Sequence, residues 1–459
     1  MDYVSSTSRP TSLGDRYLLL LLGVLLGYAF IGRGFAYLGL PPLYVGEMAL
    51  LTGFIIFLRT SCLIAALATL PSLLLAAAMA WVMLRTLPFV GMHGFDALRD
   101  SVVIMYGGFA FIIIALLLEG AHRINTVVRW YGGFSNIYVL AIPFIFAFNH
   151  FMADRIPHLP GTDVPLILIA PSEVGVHLSG AAVFTVVGFR KATPLWIVLL
   201  VAALAMVCAL SRGGMVAFAV PITFAALMLG KIRELAIVLV AGLAIFAVAY
   251  VLEPTFTDYR ETASSIERPI GTRQIVNNIA STVGEGQEQT EGTKRWRLDW
   301  WNGIVNNTIY GPHFWTGRGF GLNLAEADGF GNMSTERPLR SPHSVHMTIL
   351  ARAGVPGLAL WGAFLASWLG MLTRAMWCAR RRGQTGWAGL FLFIACYVTS
   401  IIINATFDTT LDGPMQGVWF WCLIGFGIGS VMVYRCQPDS ASENDGSAIT
   451  SPSLPGMAY

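Results

Sequence analysis

Charge is scarce in this chain: Asp, Glu, Lys and Arg make up 12% of its 459 residues, against 55% hydrophobic residues. An ordinary soluble domain carries about twice that share of charge, so that class is excluded. A basic surplus is also missing. The formal net charge is only +3, which gives no reason to expect nucleic acid as a partner. Cysteine is rare as well. Cys62, Cys208, Cys378, Cys396, Cys422 and Cys436 all lie in apolar runs or near their ends, which argues against a disulfide framework and against a Cys-rich metal site. No small-residue cleavage site follows the first apolar run, so that run reads as a retained span rather than a removed signal peptide. Nor is there an internal repeat of the inverted kind that marks many transporters.

What the chain has in abundance is apolar runs near the ~20 residues needed to cross a bilayer, about twelve of them. They centre on residues 17–32, 40–58, 62–84, 101–119, 132–151, 172–189, 193–210, 214–230, 234–252, 345–372, 386–403 and 415–434. The fold class expected is an all-α polytopic membrane protein with one large loop between the ninth and tenth spans. Its division would be an N-terminal membrane region over 1–252, the loop over 253–344, a C-terminal membrane region over 345–434 and a tail over 435–459.

Basic residues in the short loops orient these spans. One alternate set of loops and ends holds Arg9, Arg16, Arg59, Arg123, Arg129, Arg190, Lys191, Lys231, Arg233, Arg374, Arg380, Arg381, Arg382 and Arg435; the other holds only Arg33, Arg85, Arg99, Arg155 and Arg212. The richer set is expected to be cytoplasmic, with both termini inside. The large loop and Arg212 then face the exterior or periplasm.

The loop is too long for a simple connection and long enough to carry a site. Thr262 to Thr293 is polar and reads as flexible or partly ordered. From Lys294 onward, KRWRLDWWNGIVNNTIYGPHFWTGRGFGLNLAEADGF brings aromatic and apolar residues at helical spacing, then a glycine-rich turn. That part should pack against the membrane region. Nine basic residues in the loop face eleven acidic ones, so an anion site there must be built from particular arginines. The Ser- and Pro-rich tail after Arg435 reads as disordered.

Ionisable groups at a membrane boundary are functional candidates. Arg212 lies in LSRGGMVAF, where its guanidinium could bind phosphate oxygens or simply snorkel to the interface. Arg295 and Arg297 flank Trp296; on a helix, Arg297 and Trp301 share a face, suited to an anionic sugar-linked group or to an amphipathic interfacial helix. In RSPHSVHMTILARAGVPGL, from Arg340 to Leu358, His343 follows Pro342 at the mouth of the tenth span. There it could take a proton from a hydroxyl or donate to a phosphate. His346, three residues on, has no carboxylate or cysteine companion, so polar packing outweighs a metal site. Gly317, Gly319 and Gly321 in TGRGFG lack the strand and helix of a nucleotide fold, which favours turn geometry.

The order of SRGG after an apolar span, RLDWW, the GRGFG turn and PHSVHMTILARAGVPGL opening the next span resembles the O-antigen ligase and polysaccharide polymerase superfamily. The resemblance implies a bacterial inner-membrane glycosyltransferase, inverting and metal-independent, with its site at the periplasmic face and no cofactor. It implies an undecaprenyl diphosphate-linked glycan as donor and lipid A-core or a growing polysaccharide as acceptor, among membrane lipids and polysaccharide assembly proteins. By position, Arg212 matches the family's first arginine, Arg297 or Arg295 the loop arginine, and His343 the motif histidine. The arginines would hold the diphosphate, offsetting charge as a cation otherwise would, and His343 would act on the acceptor hydroxyl. Arg318, Arg340, His346 and Trp301 join Arg295 as substrate-binding candidates. Ser344 stands where the family usually has asparagine, and the NATFDTTLDGPMQGVWFW ending looks more like members from exopolysaccharide clusters. A membrane transporter of a small solute or anion is the alternative reading.

Overall fold

The structure is a computed structural model, and it describes residues 12–252, 271–283, 288–331 and 339–436. Residues 262–270 and 284–287 of the polar stretch Thr262–Thr293, and the tail after Cys436, both expected to be loosely ordered, lie outside the described residues.

Helices follow the apolar runs because lipid offers backbone groups no partners, so each span must satisfy its own N–H and C=O groups. The chain starts with α1 (Leu13–Ile31), α2 (Arg33–Ala36), a two-stranded turn of β1 (Gly39–Leu40) and β2 (Leu43–Tyr44), then α3 (Val45–Arg59) and α4 (Leu63–Ala66). Next come α5 (Leu70–His93), α6 (Phe95–Met105), α7 (Gly108–Glu119), α8 (His122–Phe151) and α9 (Pro171–Val187). The first membrane region closes with α10 (Pro194–Leu210), α11 (Arg212–Leu229) and α12 (Ile232–Leu252). The long connection carries α13 (Thr272–Val283), α14 (Glu288–Thr308) and α15 (Leu324–Ala327), before α16 (Val345–Arg381), α17 (Thr385–Phe407) and α18 (Pro414–Arg435).

Among the described residues seven helices are long and apolar enough to span a membrane, and α6 with α7, bent by 41°, makes an eighth if counted as one span. The protein is therefore an all-α, multi-pass membrane protein. Several of the expected runs yield shorter helices: α3 has 15 residues, and α9 and α10 have 17 each. Their ends are set by local chemistry, since Pro171 and Pro194 open α9 and α10 and Gly188 ends α9 in the left-handed region.

The central element is α18, whose apolar and aromatic face is buried almost throughout, between α7, α17 and α1. Around it, α9, α11 and α17 pack at close range. A Cβ on Gly175 would lie 2.8 Å from the Gly214 carbonyl oxygen, so two helix backbones touch where α11 begins. The polar connection is more regular than its composition suggests. Thr272–Val283 forms a helix, and the buried Asn278 donates from Nδ2 to the carbonyls of Cys208 and Ala209 at 2.9 and 2.7 Å. Those carbonyls sit at the frayed end of α10, where helix groups need outside partners.

Helix α16 breaks at Gly354 (φ 72°), a backbone state that favours glycine. Val355 donates to Phe314 O instead of to its own helix, and Pro356 has no N–H to donate. The carbonyls of Ala351 and Arg352 are thereby released. They are taken by the backbone N–H groups of Arg318 and Gly319, at 2.8 and 3.0 Å. The GRGFG turn is thus a plug in a helix break. A Cβ on Gly317 would meet Arg352 backbone at 2.4 Å, which accounts for that glycine.

Candidate active site

His343 occupies the turn between the long connection and α16, and among the described non-glycine residues it alone has positive φ, 51°. A left-handed histidine is uncommon and needs its surroundings to hold it. Three contacts do so. Ser341 Oγ donates to Asp412 Oδ2 at 2.7 Å, Trp301 Nε1 donates to Pro342 O at 2.8 Å, and Ser344 O accepts from Thr348 N as α16 starts.

The segment Asp408–Asp412, joining α17 to α18, meets this turn twice. Besides the Ser341–Asp412 bond, His343 Nδ1 lies 3.6 Å from Asp408 Oδ1, too far for a hydrogen bond and close enough for an ion pair. Asp408 is fixed independently, accepting from Ser172 Oγ at 2.9 Å and from Thr409 N at 2.8 Å. Burial works to raise its pKa, but His343, Ser172 and the Thr409 N–H outweigh burial and hold the carboxyl below the usual range. Asp412 goes the other way. Burial and the Asp100 charge push it up to about 6, against the Ser341 hydrogen bond and the charges of Arg352 and His343.

Helix α14 forms the wall beside this turn. Trp296 stands edge-on to the His343 ring, centroids 6.1 Å apart. Both the Trp296 indole N–H and His343 Nδ1 are buried with no hydrogen-bond partner, a costly condition away from a substrate or water. One turn along, Trp300 donates to Asp328 Oδ2 at 2.7 Å and stacks on Phe330. Arg297 is half-buried on the stripe that leads to Trp301, whereas Arg295 is exposed.

Arg212 opens α11 behind its cap Ser211, whose Oγ accepts from Gly214 N at 3.0 Å. The next residues press on the same acidic segment. A Cβ on Gly213 would lie 3.7 Å from Phe407 Cβ, and one on Gly214 would lie 3.2 Å from Ser172 Cα. Arg212 and Arg297 are both held by interactions with their surroundings. Asp408 is therefore the hub: His343 faces it, Ser172 donates to it, and the start of α11 packs on the residue before it.

Other sequence candidates belong to the framework of this site. Arg318 makes a two-pronged pair with Asp328 at 2.5 and 2.8 Å. Arg340 reaches Asp96 at 3.2 Å and Asp100 at 3.1 Å, and the buried Arg352 reaches Asp100 at 3.0 Å. His346 accepts from Trp361 Nε1 at Nδ1 and contacts Thr406 Oγ1 through Nε2, both at 3.2 Å. Thr406 spends its own proton on Ile402 O, so His346 must be the neutral Nε2–H tautomer donating to Thr406. The Ser344 side chain is buried, and its Oγ caps no backbone group of α16.

The sequence reading missed Asp408, Asp412, Ser172 and Trp296. Both aspartates were visible as ionisable residues in FDTTLDG between two apolar runs, the same signal that singled out His343. Among the described residues no group of three or more His, Cys, Asp or Glu side chains is arranged to hold a metal ion. Residues 197–362 match the family described as O-antigen ligase. No curated protein matches the chain significantly.

Proposed function

From the match of residues 197–362 to the family described as O-antigen ligase, we propose that this membrane protein is a glycosyltransferase acting at the periplasmic face of a bacterial inner membrane. It moves glycan from an undecaprenyl diphosphate carrier to an acceptor hydroxyl, as a ligase onto lipid A-core or as a polymerase onto another repeat unit. The observation that carries this reading is the unpaired His343 Nδ1 directed at Asp408, beside a membrane helix that starts with Arg212 and an α14 stripe that bears Arg297.

In this scheme His343 takes the proton of the acceptor hydroxyl while the Asp408 carboxylate, 3.6 Å away, faces the charge that forms on the ring. The hydroxyl oxygen attacks the anomeric carbon and the carrier diphosphate leaves from the opposite face, inverting that centre. Arg212 and Arg297 hold the diphosphate and stabilise the charge that develops on it. Trp296 and Trp301 give the sugar an aromatic wall. Two further arginines of the loop, Arg318 and Arg340, brace that wall through Asp328 and through Asp96 and Asp100. The division at residues 253–344 then has a meaning: the connection supplies one side of the site and the membrane bundle the other.

Reconstituting the purified protein in liposomes with lipid-linked repeat units, with and without lipid A-core, tests the proposal. Capped core identifies a ligase and a ladder on the carrier a polymerase; absence of both products from active-membrane controls' substrates would sink the transferase reading.

A further inference from the structure

Helix α10 is short for a membrane span. Its 17 residues rise about 25 Å, less than the roughly 30 Å of a bilayer's hydrocarbon. With Arg190 and Lys191 just ahead of its start, its far end at Leu210 stops at or below the headgroup level on the Arg212 side. Carbonyls left open at that depth have no water to turn to. Helix α13 meets this need, since the buried Asn278 donates to the carbonyls of Cys208 and Ala209 at 2.9 and 2.7 Å. It therefore lies at the level of the last turn of α10, packed also on α11 and α12.

At about 100° per residue, α13 sorts its side chains into stripes. Ile275 and Asn278 are buried against the bundle. Val276 and Ile279 come next round the helix and are 40% and 47% exposed. About 60° beyond Val276 lies Arg273, half-buried, with Nε buried and unpartnered. Helix α12, which packs on α13, exposes Tyr250 and Val251 in its last turn. Apolar residues on one flank with a cation at their border are the pattern of a helix that lies in a membrane surface. Two exposed apolar residues alone would be ordinary. The depth fixed by Asn278 and the neighbouring apolar end of α12 identify their cover as lipid.

We propose that α13 is an interfacial anchor, with Val276 and Ile279 dipping into the leaflet on the Arg212 side and Arg273 pairing with the phosphate of a phospholipid headgroup there. Arginine suits that ligand because its planar fork of donors matches phosphate oxygens and keeps its charge. The proposal needs only that the protein spans a membrane, so it stands apart from the transferase reading. An anchor at this point sets the height of the connection that goes on to α14.

The test uses the full-length protein in nanodiscs of phosphatidylglycerol and phosphatidylethanolamine, its six cysteines changed to serine and a spin label attached at Val276→Cys or Ile279→Cys. Both labels should be relaxed by oxygen more than by a water-soluble nickel chelate, placing them about 5–10 Å into the boundary between headgroups and acyl chains. Stronger relaxation by nickel would put the helix in water, and weak relaxation by both would put it under protein; either result overturns the anchor. A second measurement keeps every native cysteine. In native mass spectrometry of delipidated protein given phosphatidylglycerol, Arg273→Gln should retain about fivefold less of the lipid than wild type, as expected for one basic residue near an anionic surface. Equal retention would overturn the role of Arg273. Retention of undecaprenyl phosphate in place of phosphatidylglycerol would overturn the headgroup and reassign Arg273 to the carrier.

Discussion

Helix α16 carries two irregular points, and they differ in how fully their polar groups are paired. At Gly354 every group released by the break has a partner: Phe314 O, Arg318 N and Gly319 N complete the ladder from outside. At its mouth, eleven residues earlier, His343 is held in a left-handed turn with Nδ1 unpaired and 3.6 Å from a carboxylate. The first irregularity is closed and structural. The second is rigidly supported from behind and open in front, which is the arrangement a preorganised catalytic group requires. Pairing thus separates the residues that brace this molecule from those that work.

The comparison is broken most forcefully at the open point. His343→Ala should lower transfer by about 10²–10⁴-fold, the usual contribution of a positioned acid or base, with little change in the thermal midpoint of the purified protein. Equal loss of midpoint and activity would show that His343 is a brace. At the closed point the opposite pattern is expected. Gly354→Val puts a β-branched residue at φ 72° and a Cβ 2.7 Å from Phe314 O, and should cost roughly 3 kcal/mol or more, read as a lost membrane-extracted yield and a lower midpoint.

Asp408→Asn should reduce kcat by about tenfold to a hundredfold, since it removes the charge facing the imidazole but keeps a hydrogen-bonding side chain for Ser172. Substrate KM values should hold. The smallest effect is expected at Asp412, whose carboxyl is pushed up to about 6. A folded-state pKa above the ordinary aspartate value means that the native protein binds the extra proton, so stability falls as pH rises through that window and is level above it. Asp412→Asn should flatten the midpoint's fall between about pH 4 and pH 6. An undiminished slope in that variant would move the titration to another group.

How much of this was legible in the sequence follows the same division. Each apolar run contains a helix because composition and the cost of unpaired backbone in lipid are local properties. Arg212, Arg297 and His343 could be named because charged or ionisable residues beside apolar runs stand out. Their common neighbour could not. Asp408 is separated from His343 by two helices, and only packing brings Phe407 under α11 and Ser172 onto the carboxylate. The break at Gly354 was hidden for a related reason: a glycine and a proline inside an apolar run are compatible with an ordinary kinked span, and the plug comes from a loop more than thirty residues upstream. Likewise Thr272–Val283 reads as a polar stretch until Asn278 is seen on the end of α10.

The plug at Gly354 has a mechanical consequence. A continuous helix couples its two ends in rotation, so a residue gained or lost near one end turns the other by about 100°. With α16 interrupted and its outer segment pinned to the GRGFG turn, that coupling is cut. The stub from Val345 to Ala353 keeps its angular setting against α14 whatever happens along the inner segment. The bundle is thus free to drift in span length or tilt, as membranes of different thickness demand, without swinging His343 away from Asp408.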